Sequence, residues 1–407
     1  MFSISGPMVP ETKPIRRVAL IIETSRSYTR TLLRGVKRYM SEFGPWSVYL
    51  EMRALDSKVP PWLAKWSGDG ILVRSASQKM VDIVTRTGVP AVELRASKLK
   101  HSLPFVGVDN AALGRLVAEH LLERGFRHFG CYEISIESFF EERRDNFAQT
   151  LASRGFTCHH YQQKEGTEHP GIWERQQTEL IDWIQRLPKP CGIMACTDQL
   201  GFWLLDACRR AGVSVPEEVA VVGVEDDESL CEMATPPMSS VHFPGARIGF
   251  EAAALLDQLM AGKSPPKSPL LIAPTGIVTR GSSDIVAIDD PVIAKALRYI
   301  REHARNGIQV EDVGAAVGVS RSTLERRLRR ALGRSPQEEI IRVKLNLVRE
   351  LLVETDLPLE AVAQRAGFAY AQYLSELFRK TYDMTPGQYR RSMRVPDPGK
   401  ATVVQTD

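Results

Sequence analysis

The residues of this 407-residue chain best suited to chemistry sit on a repeated pattern near its C-terminal end. Two segments, VEDVGAAVGVSRSTLERRLRRALGRSP and LEAVAQRAGFAYAQYLSELFRKTYDMTP, share one layout, with Gly318 and Gly367 49 positions apart and Pro336 and Pro386 50 apart. In the first, Val310, Val313, Gly314 and Val317 fall at i, i+3, i+4 and i+7, and Leu359, Val362, Ala363 and Ala366 repeat that spacing in the second. Each set lays an apolar stripe along a short helix. The glycine that follows suits a left-handed turn. After it a second helix begins, with Leu324 and Leu328 inward in one copy and Tyr373 and Leu377 inward in the other. Helix, glycine turn and helix form the helix-turn-helix layout, whose second helix fits a DNA major groove.

With those positions inward, Ser320, Arg321, Ser322, Glu325, Arg326 and Arg329 face outward on one second helix, and Tyr370, Gln372, Ser375, Glu376 and Arg379 on the other. Arginine suits bidentate reading of guanine and glutamine of adenine, while serine and tyrosine hydroxyls hold phosphates. The cluster Arg326, Arg327, Arg329, Arg330 and Arg334, standing alone, reads better as a solvated face. Its place on a duplicated motif favours a polyanion. Between the copies, IIRVKLNLVRELLVET reads as a connecting helix that would let two readers address successive major grooves about 34 Å apart. Ala369 stands where a polar helix cap is usual, which removes about 1 kcal/mol from the second reader.

Elsewhere the chemistry is sparse. Glu225, Asp226 and Asp227 crowd three carboxylates into one loop, unlike two acids facing each other across a glycosidic bond. No G-x-S-x-G elbow, P-loop, H-E-x-x-H or kinase motif appears, so a sugar hydrolase or kinase is disfavoured and neither a catalytic residue nor a cofactor is expected. Six cysteines are scattered without a C-x-x-C pair, and His159 with His160 lacks the partners of a metal site. Reduced thiols and surface histidines are the expectation.

Two compositions meet in this chain. Up to about Ala273, short β-branched runs (RVALIIE, SVYLEMR, GILV, AVEL, FVGV, HFGCY, GIMAC, VAVVGV) alternate with amphipathic stretches near 28–40, 111–124, 139–154, 173–187, 199–211 and 245–261. Such alternation predicts parallel sheets covered by helices, with ligands beyond the carboxyl ends of the strands. The expected domains are a tail at 1–15, an α/β domain at 16–274, a linker at 275–290, an all-α domain at 291–395 and a tail at 396–407. From Asp290 to Val395 there are 19 lysines and arginines against 13 acidic residues, so a net charge of +4 resolves into a basic end of +6 and a remainder of −2. A polyanion partner is expected for one end only. With no signal-peptide pattern and no apolar run near 18 residues, the chain reads as cytoplasmic, without a membrane partner.

The C-terminal repeat, closing in LFRKTYDMTPGQYR, resembles the AraC family of transcription activators over the last quarter of the chain. The α/β part resembles the two-lobed, periplasmic-binding-protein-like sensor of the LacI family. The order of the two, with YTRTLLRGV, VGVDN, FEERRDNF, ACTDQ, VPEEVAVVGVEDDE and DPVIAKALRYIREHA, is similar to the bacterial xylose operon regulators. That resemblance implies a regulator of sugar catabolism genes, an activator responsive to xylose or a related pentose. It implies a homodimer that binds double-stranded operator DNA and, as an activator, RNA polymerase. It places ligand contacts at Tyr28, Arg30, Arg74, Arg143, Thr197, Asp198, Glu225 and Asp226, between lobes near 17–127 plus 240–273 and near 128–239. Tyr28 or Phe139 would supply an aromatic face, or either is simply core. Asp198 is also open to reading as a helix cap, and Arg143 as a surface partner of Glu141 or Glu142. Where those regulators carry Asp then Asn, this chain carries Glu225 then Asp226, one methylene and one charge more, so a different sugar, or a sensor that only dimerises, is the alternative.

Overall fold

A computed structural model describes residues 15–393 except 55–56, 97, 135–137, 164–169, 286–289 and 356. The two expected tails, apart from Ile15, lie outside the described residues. The chain divides into two compact units at Ile285.

The first unit opens with β1 (Arg16–Ile21), α1 (Ser27–Phe43), β2 (Trp46–Leu50), β3 (Gly70–Val73), α2 (Gln78–Arg86), β4 (Ala91–Glu93) and β5 (Val106–Val108). Parallel pairing in the order β2-β1-β3-β4 makes the sheet of the first lobe. The chain then crosses over. Next come α3 (Asn110–Glu123), β6 (His128–Ile134), α4 (Ser138–Ala152), β7 (Cys158–Gln163), α5 (Pro170–Arg186), β8 (Cys191–Ala195), α6 (Asp198–Arg210), β9 (Val219–Glu225), α7 (Glu228–Met233) and β10 (Ser239–His242). After β10 the chain returns to the first lobe with α8 (Gly245–Met260), which packs along α1, and β11 (Leu270–Ile272), which pairs with β5. It ends in β12 (Gly276–Val278), antiparallel to β10 at the edge of a six-stranded sheet ordered β12-β10-β9-β8-β6-β7. Val219 to Val224 are wholly buried, as a strand covered on both faces requires.

Three expected boundaries move. α3 belongs to the second lobe, because Gly114 lets it approach α4 so closely that a Cβ there would stand 2.5 Å from the Arg143 carbonyl oxygen, and because Leu121 lies over Gly192 of β8. β10 and β12 also belong to the second lobe, so the chain passes between lobes near residues 109, 243 and 274. The Gly- and Ser-rich stretch read as linker from 275 begins instead inside the sheet. Ser282 donates to the Val221 carbonyl (2.6 Å) and accepts from the Ser239 amide (2.8 Å), so its hydroxyl satisfies strand backbone rather than solvent.

The second unit is helical: α9 (Pro291–His303), a single 3-10 turn (Ala304–Asn306), α10 (Val310–Val317), α11 (Arg321–Leu332), α12 (Pro336–Glu354), α13 (Leu359–Arg365), α14 (Ala371–Tyr382) and α15 (Pro386–Met393). Gly318 and Gly367 take left-handed conformations (φ 72° and 76°) in the two turns. The connecting helix α12 has 19 residues, roughly 28 Å at 1.5 Å per residue. Matching capping boxes open α12 and α15: Ser335 with Glu338, and Thr385 with Gln388, 50 positions on.

Candidate ligand cleft and DNA-reading helices

Strand ends of both lobes converge on a cleft of about 670 Å³, counted to its open mouth. From the first lobe come Glu23, Arg26 and Tyr28 after β1, Arg74 after β3 and Arg95 after β4. The second lobe supplies Asn110, Phe139, Arg143 and Glu225, and Phe243 lines the crossover after β10. The mixed aromatic and polar lining suits a small organic ligand held by a few polar groups.

Several of these polar groups are fixed by their neighbours. Arg74 binds the Glu23 carboxylate (2.9 Å) and the Leu94 carbonyl (3.1 Å), and lies 5.4 Å from the centre of the Tyr28 ring, which meets Phe243 edge-on at 5.0 Å. Burial raises the Tyr28 pKa despite nearby Arg74, keeping its hydroxyl protonated. One oxygen of buried Glu93 accepts from the amides of Ser75, Leu94 and Arg95 (3.0, 3.1 and 2.9 Å), holding the loop that delivers Arg95.

Arg143 is 3 % exposed and sits between the Phe139 and Phe243 rings, 4.7 and 5.1 Å from their centres. It donates to Asn110 Oδ1 (2.9 Å) and the Cys196 carbonyl (2.6 Å). No carboxylate among the described residues lies within ion-pair distance, and Nη2 has no protein partner there. Burial therefore lowers its pKa, with Glu225 pulling the other way. The reading of Arg143 as a surface partner of Glu141 or Glu142 is thus overturned. Glu225 comes no closer to a cation than 3.9 Å, at Arg26 Nη1, and makes no hydrogen bond through its carboxylate among the described residues. A donor and an acceptor thus wait in one aromatic-walled cleft.

Glu225 and Asp226 have φ of 114° and 53°, a left-handed region that costs a non-glycine residue about 1–3 kcal/mol. Their surroundings enforce it. The Asp226 amide donates to Ser240 Oγ (3.0 Å), and its carboxylate holds Arg280 (2.8 Å) and His242 (3.0 Å). Asp198 accepts from Ser240 Oγ (2.5 Å) and the Asp227 amide (2.6 Å), while burial pushes its own pKa well up.

Of the eight residues expected to contact ligand, Tyr28, Arg74, Arg143 and Glu225 line the cleft and four do not. Asp198 and Asp226 brace the Glu225 loop. Thr197, not Asp198, caps α6 by accepting from the Leu200 amide (3.3 Å). Arg30 is exposed and turns back onto the carbonyls of Thr24 and Ser25 (3.0 and 3.1 Å). Arg26, one helical turn earlier, occupies the cleft instead. Glu23, Arg26, Arg95, Asn110 and Phe243 were not foreseen, although the strand-end rule covers the first three.

In the second unit, Leu324 and Leu328 are buried as expected, and Arg326, Arg329 and Arg330 are exposed. Ser320 caps α11 through the Thr323 amide, with Ser322 beside it (3.2 Å). Arg321 is tied to Glu311 and Glu325 (2.5 and 3.0 Å). Arg327 and Arg334 leave the cluster altogether: one binds Asp290, the cap of α9, and the other binds buried Glu339.

On α14 the expected core is displaced by one residue. Leu374 and Phe378 are buried, Leu377 is partly covered, and Tyr373 is exposed. Leu324 lies six positions after its turn glycine but Leu374 lies seven after Gly367, because the second turn holds one more residue. Tyr370, Gln372, Glu376 and Arg379 are exposed, and Ser375 is half-buried, donating to the Ala371 carbonyl (2.9 Å). The position before α14 is Tyr370, and no side chain caps this helix. Gly367 is seated on the first half of the unit: a Cβ there would stand 2.7 Å from the Arg305 carbonyl oxygen, and Lys344 Nζ donates to the Gly367 carbonyl (2.8 Å).

Known proteins agree with this division. The periplasmic binding protein-like domain profile matches residues 118–283 and the helix-turn-helix domain profile residues 313–392. The xylose operon regulatory protein of Escherichia coli (strain K12) is 32% identical over 384 residues, 92% of this chain and 96% of its own length. That of Haemophilus influenzae is 29% identical over 388 residues, 93% and 99%. The solved structure of a xylose-binding transcription activator superposes with a TM-score of 0.78 at 30% identity, covering 93% of this chain and 98% of its own. The chain belongs to the family of xylose operon regulatory proteins, ligand-sensing DNA-binding transcription regulators, not enzymes, that join a periplasmic-binding-protein-like sensor to a helix-turn-helix domain.

Proposed function

We propose that this regulator binds a small sugar of the pentose class, xylose or a close relative, in the interlobe cleft, and that binding governs its grip on operator DNA. The observation that carries this reading is buried Arg143 with an unused donor in the same aromatic-walled cleft as Glu225 with unused acceptors. A sugar hydroxyl both donates and accepts, so it satisfies the two together, while its apolar C–H faces rest on Tyr28, Phe139 and Phe243. Tyr28, Arg74, Arg143 and Glu225 are then the ligand contacts, joined by Arg26. Similarity to a solved xylose-binding transcription activator supports both the pentose and activation.

Closure about the three crossovers follows if the sugar binds the closed state more tightly than the open one. The duplicated helix-turn-helix with its connecting helix fits an AraC-type reader. We assign Ser320, Arg321, Ser322, Glu325, Arg326 and Arg329, with Tyr370, Gln372, Ser375, Glu376 and Arg379, to its DNA-facing sides. A cytoplasmic homodimer that contacts RNA polymerase completes the reading. Among the described residues no helix is long and apolar enough to cross a membrane.

All six tryptophans precede residue 285, so their fluorescence reports on the sensor alone. Titration with pentoses and hexoses should show saturable quenching or enhancement with one of them. Operator affinity should change with the same sugar, and Arg143→Ala should abolish both responses. Equal operator affinity with and without every sugar tried would overturn sugar control.

A further inference from the structure

We propose that the two reading helices use different chemistry, and that α14 recognises thymine methyl groups through an exposed aromatic pair, Tyr370 and Tyr373. This rests on the DNA-facing assignment of α14 made above. Among the described residues of the C-terminal unit, these two are the only exposed large apolar side chains, at 74 % and 50 %. They stand together around the first turn of one helix. A pair of exposed rings on an otherwise polar surface marks a contact site.

The extra residue in the second turn puts them there. In the 50-residue register, Tyr370 corresponds to Ser320, the cap of α11, and Tyr373 to Thr323 in its first turn, both small hydroxyl residues. The Tyr373 ring is braced 6.2 Å from that of Phe368, which is itself buried and covered by the Lys344 ammonium at 5.6 Å. A braced ring loses little freedom when it meets a partner. Duplex DNA is the occupant because the pair is continuous with exposed Gln372, Glu376 and Arg379 on the same helix, where Gln suits adenine, the partner of thymine. The thymine C5-methyl is the apolar group that the major groove displays. On α11, by contrast, Arg326, Arg329 and Arg330 present charge at the surface. The first reader should therefore follow phosphate and guanine, and the second should follow methyl groups.

The test uses the full chain. A duplex is selected from a randomised pool by binding, and its thymines are then replaced one at a time by uracil, which removes the methyl and leaves the base-pairing edge intact. The result expected is a loss of about fourfold per methyl at one or two positions. That loss should vanish in Tyr373→Ala or Tyr370→Ala and persist in Tyr373→Phe. Three results overturn the proposal: no uracil-sensitive position, the same uracil loss in wild type and both alanine variants, or a Tyr373→Phe loss equal to that of Tyr373→Ala, which would mean a hydroxyl–phosphate contact. A chain that selects no sequence at all would overturn the DNA-reading assignment itself, a separate outcome.

Discussion

The two helix-turn-helix copies share their stripe, turn glycine, capping box and proline, yet hold themselves together by different forces. In the first, Arg327 grips Asp290, and Glu339, only 2 % exposed, binds both Arg334 and Arg342. Fifty positions on, Arg327 becomes Leu377, Arg334 becomes Met384 and Glu339 becomes Tyr389. Tyr389 is buried edge-on against Phe378 at 5.5 Å, and its hydroxyl accepts from Arg349, whose guanidinium lies over two tyrosine rings. One backbone plan thus tolerates an ionic or an aromatic interior. The same division reaches the surface, where arginines occupy α11 and tyrosines α14.

The sharpest way to break this comparison is to truncate the corresponding residues. Tyr389→Ala should lower the stability of the C-terminal unit by about 4 kcal/mol through the lost ring and its cavity. Glu339→Ala should cost about 3 kcal/mol, less than a fully buried pair because both guanidiniums keep some water contact. Urea unfolding of the full chain, followed by circular dichroism, reads both. Near-zero loss for Glu339→Ala would erase the ionic half of the contrast.

DNA affinity sharpens it next. Arg326→Ala or Arg329→Ala should each weaken binding by about 1–3 kcal/mol and reduce the salt slope by about one if the contact is to phosphate. Arg321→Ala should do less, since Glu311 and Glu325 already neutralise that guanidinium. Fluorescence anisotropy over a salt series distinguishes them, and equal effects from Arg321 and Arg326 would mean that Glu311 and Glu325 do not hold Arg321 back from DNA.

Acid should then separate the copies. Burial alone would raise the Glu339 pKa, but Arg342 and Arg334 outweigh it and hold the carboxyl below its ordinary value. A depressed native pKa gives stability that is complete above the unfolded value, about 4.3, and is lost as pH falls through the native one. Amides of α11 and α12 should therefore lose exchange protection in that window more than they do in Glu339→Gln. The smallest effect concerns caps: Ser320→Ala should cost about 1 kcal/mol, and Tyr370→Ser should gain a comparable amount by supplying the missing acceptor. Equal and opposite shifts in melting temperature would confirm that only one copy is capped.

Both the duplication and the strand-end logic of the cleft were legible in the residues, because stripe, glycine and proline each have a local cause. The register of α14 was not. Tyr373, Leu374, Leu377 and Phe378 offer two apolar pairs at the same spacing, and only packing against α12 and α13 decides between them. Cleft residues divided for a similar reason. Arg26 and Arg30 are one helical turn apart, and nothing local says which reaches the cleft. Asp198 and Asp226 have the chemistry of ligands but spend it on the Glu225 loop. The sheet that α3 covers was also illegible, since a crossover leaves no mark on amphipathic periodicity, and CHHYQQ in β7 is too polar to announce a strand.

The seat of Gly367 on the Arg305 and Ala304 carbonyls, with Lys344 donating to the Gly367 carbonyl, ties the second turn to the first half of the unit. With both helices on the duplex, as proposed above, that tie should make the unit act as a ruler. Inserting a single base pair between the two contacted steps would rotate the second by roughly 35° about the duplex axis, and the unit could follow only by letting go at one end. Operator spacing should therefore be as tightly constrained as operator sequence.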